Sequence, residues 1–209
     1  MKEKNIGSSF DSWLEDEGIH EEVTANAIER VSARRAAAES AQDEAAAHYL
    51  HSALREKIVE HVFVGDALRW FWQHRVIDVE VLRSEFDAGG YDLVMSRGNI
   101  VRHIQFKASL AGGKRASVNA SVRLLDKPSG CIIWILVDSK LELVGYRWFG
   151  GSPGKPLPDI RSMKTATHTK ANAKGEKAER PDQRIIPGNR FDSTDSLGKI
   201  LEWLFGPLP

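Results

Sequence analysis

The stretch YDLVMSRGNIVRHIQFKAS, residues 91–109, reads as two β-strands joined by a turn at SRGN, with Asp92, Gln105 and Lys107 interrupting its apolar runs. Residues two apart on a strand share a face. Gln105 and Lys107 therefore point one way, while Ile104 and Phe106 point the other, toward a covering helix. If the two strands pair through the SRGN turn, Asp92 comes near Gln105 or Lys107, and a carboxylate, an amide oxygen and an ammonium meet at one end of a sheet.

Working outward, HYLHSALREKIVEHVFVGDALRWFW repeats Leu50, Leu54, Ile58, Val62, Leu68 and Trp72 near helical spacing, which predicts a long helix over about 47–72. Glu56 and Glu60 are four apart and project from one side of it. Strands are expected at 79–86 (VEVLRSEF), 91–96, 100–109 and 130–138 (GCIIWILVD), with a helix at 117–126 (SVNASVRLLD) before the last. The order is thus helix, three strands, helix, strand, an α/β arrangement. LELVGYRWF (141–149) adds a hairpin strand. Residues 150–183, rich in Gly, Pro, Lys and Thr, read as loop. SLGKILEWLF closes the chain as a short helix.

Before this core, residues 1–46 carry five Lys/Arg against eleven Asp/Glu, and the remainder 24 against 18. An acidic helical arm (1–46) precedes a core (47–150), followed by a basic loop and a C-terminal helix packing on that core (151–209). In the arm, Ser9, Asp11 or Ser12 can cap a short helix that Gly18 ends, and Thr24 can start a second. Phe10, Trp13, Leu14, Ile19, Val23, Ile28 and Val31 are too few for an independent core. No window offers the roughly 18 apolar residues of a membrane helix, and the charged start lacks a signal-peptide middle, so a cytoplasmic location is expected. The lone Cys131, within CIIWILV, excludes an intrachain disulfide and reads as a buried strand residue.

A carboxylate on a helix and another on a strand, with a neutral oxygen between them, suit a hard divalent cation such as Mg²⁺ or Mn²⁺. Glu56 competes with Glu60 as the helical acid and Asp87 with Asp92 as the strand acid. Glu85 reads as a loop charge. His61, His74 and His103 have no spacing that suggests a His-based metal site, although His103 shares the face of Gln105 and Lys107. For nucleic acid, residues 161–184 hold seven Lys/Arg against three Asp/Glu, including Lys164, Lys170 and Lys174, and AGGKRAS places Lys114 and Arg115 just beyond the QFK strand. No groove-reading motif is present, so backbone or shape recognition is expected.

The succession EHVFVGDALRWFW, FDAGGYDLVM, RHIQFKAS resembles the PD-(D/E)xK nuclease superfamily, the restriction-endonuclease-like fold that also includes Holliday-junction resolvases, over about residues 47–150. The resemblance implies a DNA endonuclease, resolvase-like or defence-related, with Glu60, Asp92 and Gln105 as metal ligands and Lys107 beside them. Tyr91 stands where the family name has Pro, and Gln105 where Glu is usual, which removes one negative charge from the implied site. Residues 8–31 also resemble the N-terminal arm of helix-turn-helix antitoxins of bacterial toxin–antitoxin modules. That likeness implies an arm that binds a protein partner or another subunit; no recognition helix follows it.

Overall fold

The computed structural model describes residues 20–83, 89–168, 175 and 177–209. The chain divides into two units, one ending at Ser52 and the other running from Ala53 to Pro209. In the first unit, α1 (His20–Leu50) is a single helix of 31 residues. Its sequence contains neither Gly nor Pro, and Glu21 and Glu22 lie in its first turn, where the helix dipole favours acids. The expected start at Thr24 is therefore four residues late. The short helix expected between Ser9 and Gly18 lies outside the described residues, as do Phe10, Trp13, Leu14 and Ile19.

After a turn residue at His51 comes α2 (Ser52–Gln73), and the second unit starts within it at Ala53. The long helix expected from 47 is thus shortened at its start. Its buried residues are Val59, Glu60, Phe63, Val64, Ala67 and Phe71. The residues whose spacing predicted the helix lie largely elsewhere: Leu54, Ile58, Leu68 and Trp72 are exposed, Trp72 at 76%. Both faces of this helix carry large apolar residues at helical spacing. The one bearing Phe63 and Phe71 is buried, with Phe63 meeting the rings of Phe106 and Tyr146 at 5.1 and 6.1 Å.

Six strands form one sheet in the order β1 (Val79–Arg83), β2 (Leu93–Arg97), β3 (Ile100–Leu110), β5 (Gly130–Val137), β6 (Leu143–Gly150) and β9 (Asp192–Thr194). β3 and β5 are parallel; every other neighbouring pair is antiparallel. A parallel pair needs a crossover. The segment 117–126 that supplies part of it is not the expected helix but a strand, β4 (Ser117–Ser121), followed by a 3₁₀ turn (Val122–Asp126). Val118 and Ala120 alternate into a core, a period of two that outweighs the helical reading of this Ser- and Asn-containing run. Ser121 Oγ then accepts a hydrogen bond from Arg123 N at 3.3 Å, opening the turn.

β4 belongs to a second sheet, ordered β4, β8 (Glu179–Pro187), β7 (Thr165–Thr167). The expectation of loop throughout 150–183 is corrected accordingly. Local composition there is loop-like; β7 pairs with β8 nearby in the chain, but β8 joins β4 across more than 60 residues, as in Val118 with Ile186.

One core lies on the helix side of the large sheet and joins Val59, Phe63, Phe71, Ile104, Ile133 and Ile135 to Ile200, Leu204 and Phe205 of α3 (Leu197–Phe205). The expected closing helix is present, capped by Ser196 Oγ accepting from Lys199 N. The other core holds Ile132, Trp134 and Phe149 against Val118, Ala120 and Ile186 of the small sheet. Gly130 starts β5 where a Cβ would come within 2.6 Å of Leu124 O, so the 3₁₀ turn packs directly on backbone. Among the described residues no helix is long and apolar enough to cross a membrane.

Candidate active site

The large sheet opens into a fork at the middle of β3. β2 pairs with it only from Ile100 to Ile104, while β5 pairs along His103 to Leu110. Past Ile104, the edge of β3 away from β5 has no strand beside it among the described residues. Asp92 stands at that opening. Its backbone N donates to Ile104 O at 2.9 Å, and its Oδ2 accepts from Phe106 N at 2.7 Å, so a carboxylate takes the next rung of the ladder. The preceding Gly90 adopts φ 71°, and a Cβ there would come within 2.6 Å of Ser121. The Gly-Gly pair thus lets the chain turn closely over β4 before Asp92.

Gln105, Lys107 and Ser109 share the face of β3 opposite to α2, and Ser109 Oγ accepts from Trp134 Nε1 at 2.8 Å on that side. α2 covers the other face, with Glu60 at the open edge. Glu60, Asp92, Gln105 and Lys107 consequently line one cleft of about 480 Å³. Its remaining polar wall is Glu56, Lys57, Arg115, Asn119, Arg180 and Gln183. Glu60 is only 4% exposed, and both its oxygens are engaged: Oε2 accepts from Lys57 Nζ at 3.0 Å and Oε1 from Arg83 Nη1. Gln105 is 7% exposed, and its Oε1 has no hydrogen-bond partner among the described residues. A buried amide oxygen left without a donor costs about 1–3 kcal/mol, so this one can gain from a donor or ion entering the cleft.

Two carboxylates and this unpartnered oxygen are a donor set that fits a hard divalent cation. Among the described residues no three His, Cys, Asp or Glu side chains cluster as a metal site. Glu56 remains beside Glu60 as a second, exposed acid of the cleft. Asp87 and Glu85 lie outside the described residues.

Of the cations expected to meet nucleic acid, Arg115 lines the cleft and donates from Nη1 to Ala108 O at 3.2 Å, on the unpaired edge of β3. Lys114 is exposed beside it but does not line the cleft. Lys164 is exposed just before β7, its carbonyl accepting from Ile185 N, and is also outside the lining. Lys170 and Lys174 lie outside the described residues. Asn119, Arg180 and Gln183 were not anticipated, since their segments read as helix and loop. The alternation of Val118 and Ala120 is the signal that places Asn119 on the face away from the core.

Three further residues are accounted for by packing. His61 and His74 bond through Nδ1 to the carbonyls of Lys57 and Trp70, one turn back on α2. His103 lies against Tyr91, ring centroids 5.0 Å apart, and outside the cleft lining. Burial, with Lys127 nearby, holds its pKa below the ordinary value. Burial also pushes the Cys131 thiol up to about 12, which removes it as a nucleophile at neutral pH. No protein-family model matches this chain, and no curated protein sequence matches it either.

Proposed function

We propose that this chain is a divalent-metal-dependent DNA endonuclease of the PD-(D/E)xK type, with Glu60, Asp92 and Gln105 as ligands for Mg²⁺ or Mn²⁺. The observation that carries the reading is that those three and Lys107 line one cleft, with a buried Gln105 Oε1 that has no hydrogen-bond partner among the described residues. The element order supports it: α2, then β1 to β3, then β5 in the same sheet, with β4 and its 3₁₀ turn where a second helix was expected. A bound divalent cation supplies Lewis acidity to a phosphoryl oxygen and a more acidic water.

The chain's own residues do the rest. Asp92 is fixed at the fork by its backbone and side-chain bonds to β3, so one carboxylate is pre-positioned. Lys107 is two residues from Gln105 on the same face and brings an ammonium to the phosphate as charge builds up. Lys57, Arg115 and Arg180 give the walls positive charge for a phosphodiester backbone, and Lys114 with Lys164 extends that charge outside the cleft. Val23, Ile28 and Val31, exposed on α1, support a partner-binding or self-associating arm.

A second reading is a DNA-binding or toxin–antitoxin regulatory module with little or no catalysis. It is favoured by Gln105, which adds no charge, and by the engagement of both Glu60 oxygens. A nicking assay on plasmid and branched DNA with Mg²⁺ and Mn²⁺ separates the two. Protein that binds DNA but leaves every substrate intact with both ions removes the enzyme reading.

A further inference from the structure

We propose that Arg83 is a resident competitor for the metal site: its guanidinium holds Glu60 while the cleft is ion-free, and a divalent cation gains that carboxylate as Arg83 releases it. The inference rests on the metal-site reading above and adds to it the residue that controls access to one ligand.

The argument starts from charge. Glu60 is 4% exposed on the buried side of α2, between Val59 and Phe63. An ionised carboxylate there needs a partner, because burial removes most of its water. Two cations meet that need from different elements. Lys57 comes from one turn back on α2 to Oε2, and Arg83 reaches Oε1 from the end of β1. The two differ in freedom: the Lys57 side chain is 65% exposed and the Arg83 side chain 38%.

The other two donors differ. Asp92 Oδ2 is committed to Phe106 N, and Gln105 Oε1 has no donor. Lys57 and Arg83 both hold Glu60, so a dication must take that carboxylate from groups of its own sign. Coulomb repulsion between a dication and a guanidinium sharing one carboxylate is severe inside a cleft, so the two occupancies oppose each other. Coupling of this kind is reciprocal: whatever draws Arg83 away tightens the ion, and the ion frees Arg83. A phosphate backbone is the natural destination for the released guanidinium, since its fork matches two phosphate oxygens.

The test is Mn²⁺ binding to the full chain, read from the electron paramagnetic resonance signal of free Mn²⁺, so that no cleavage is needed. Arg83→Gln is expected to bind Mn²⁺ on the order of fivefold more tightly than the wild type, the scale of one ion pair removed. Arg83→Lys, which restores the charge, should return the affinity toward wild type. Arg115→Gln is the control for general charge: Arg115 lines the same cleft but bonds to Ala108 O, and its loss should change affinity by less than about twofold. Lys57→Gln, whose side chain is mostly exposed, also vacates a Glu60 oxygen and carries the same direction of change should Arg83→Gln fail to fold. Equal or weaker binding by folded Arg83→Gln, or an equal gain from Arg115→Gln, overturns the competition while leaving the metal site standing. Absence of Mn²⁺ binding by wild type and variants alike removes the metal site itself, and the competition with it.

Discussion

Arg102 is fully buried in β3, and all five of its N–H donors are used. Nε donates to Leu204 O at 2.8 Å; Nη1 donates to Ser129 Oγ at 3.1 Å and Lys155 O at 3.4 Å; Nη2 donates to Trp203 O at 2.9 Å and Gly151 O at 3.0 Å. Its guanidinium also lies over the Trp148 ring, 5.4 Å from the centroid. Trp203 and Leu204 are in the last turn of α3, where helix carbonyls lack partners of their own, so one side chain pins that helix end to the sheet. Arg102→Met keeps an unbranched chain and deletes every donor. Each buried acceptor left unsatisfied costs about 1–3 kcal/mol, but relief of the desolvated charge and water entry at the helix end offset part of the total. The expected net loss is about 3–5 kcal/mol, the range found when one side of a buried ionic network is removed. In urea, with a slope of about 2 kcal/mol/M, the unfolding midpoint followed by circular dichroism should fall by about 2 M. Arg102→Lys, with three donors on a compact head, should recover less than half of that. A midpoint for Arg102→Met that corresponds to less than about 1 kcal/mol would refute the account, because the five bonds would then be geometry without energy.

Three other outcomes are expected. Asp92→Asn keeps an oxygen for Phe106 N but loses the charge, so DNA nicking should disappear with the melting temperature nearly unchanged, and Lys107→Ala should also abolish nicking; full activity in either variant excludes that residue from the site. Gln105→Glu adds a buried carboxylate beside Asp92: without metal it should lower the melting temperature, and millimolar Mn²⁺ should restore it further than it raises the wild type, a ligand-linked gain absent if Gln105 is not a ligand. His103 has a folded pKa below its ordinary value of 6.5, so the unfolded chain binds the proton more readily; stability should fall as pH drops from about 6.5 toward the folded value. His103→Gln, with Tyr91 and Lys127 left in place, should flatten that slope, and an unchanged slope assigns it to other groups.

Much of the large sheet was legible because its signals are local. YDLVMSRGNIVRHIQFKAS forms two paired strands, with Gly98 at φ 53° in the turn, and Gln105 and Lys107 do share a face opposite Ile104 and Phe106. Asp92 proved to be near both by bonding the backbone of Phe106 between them. Which face of α2 is buried was not legible, since two apolar stripes satisfy the same helical period and periodicity cannot say which one meets a sheet. Arg83 was unreadable as a partner of Glu60, because a contact across 23 residues leaves no trace in either local pattern.

What the sequence by itself determined is therefore the elements with strong short-range periodicity, α2, β1 to β3, β5, β6 and α3, and the chemical types of the four proposed site residues: two acids, an amide and an amine. Only the tertiary structure decided that β3 outruns β2 and leaves an open edge, that residues 117–121 and 179–187 pair as a second sheet, and that Asn119, Arg180 and Gln183 complete the cleft wall. Strand pairing between distant segments is settled by backbone hydrogen bonds and shared burial, which depend on what stands opposite. The charge state around Glu60 follows the same logic: its carboxylate is fixed by sequence, but its cations are chosen by packing.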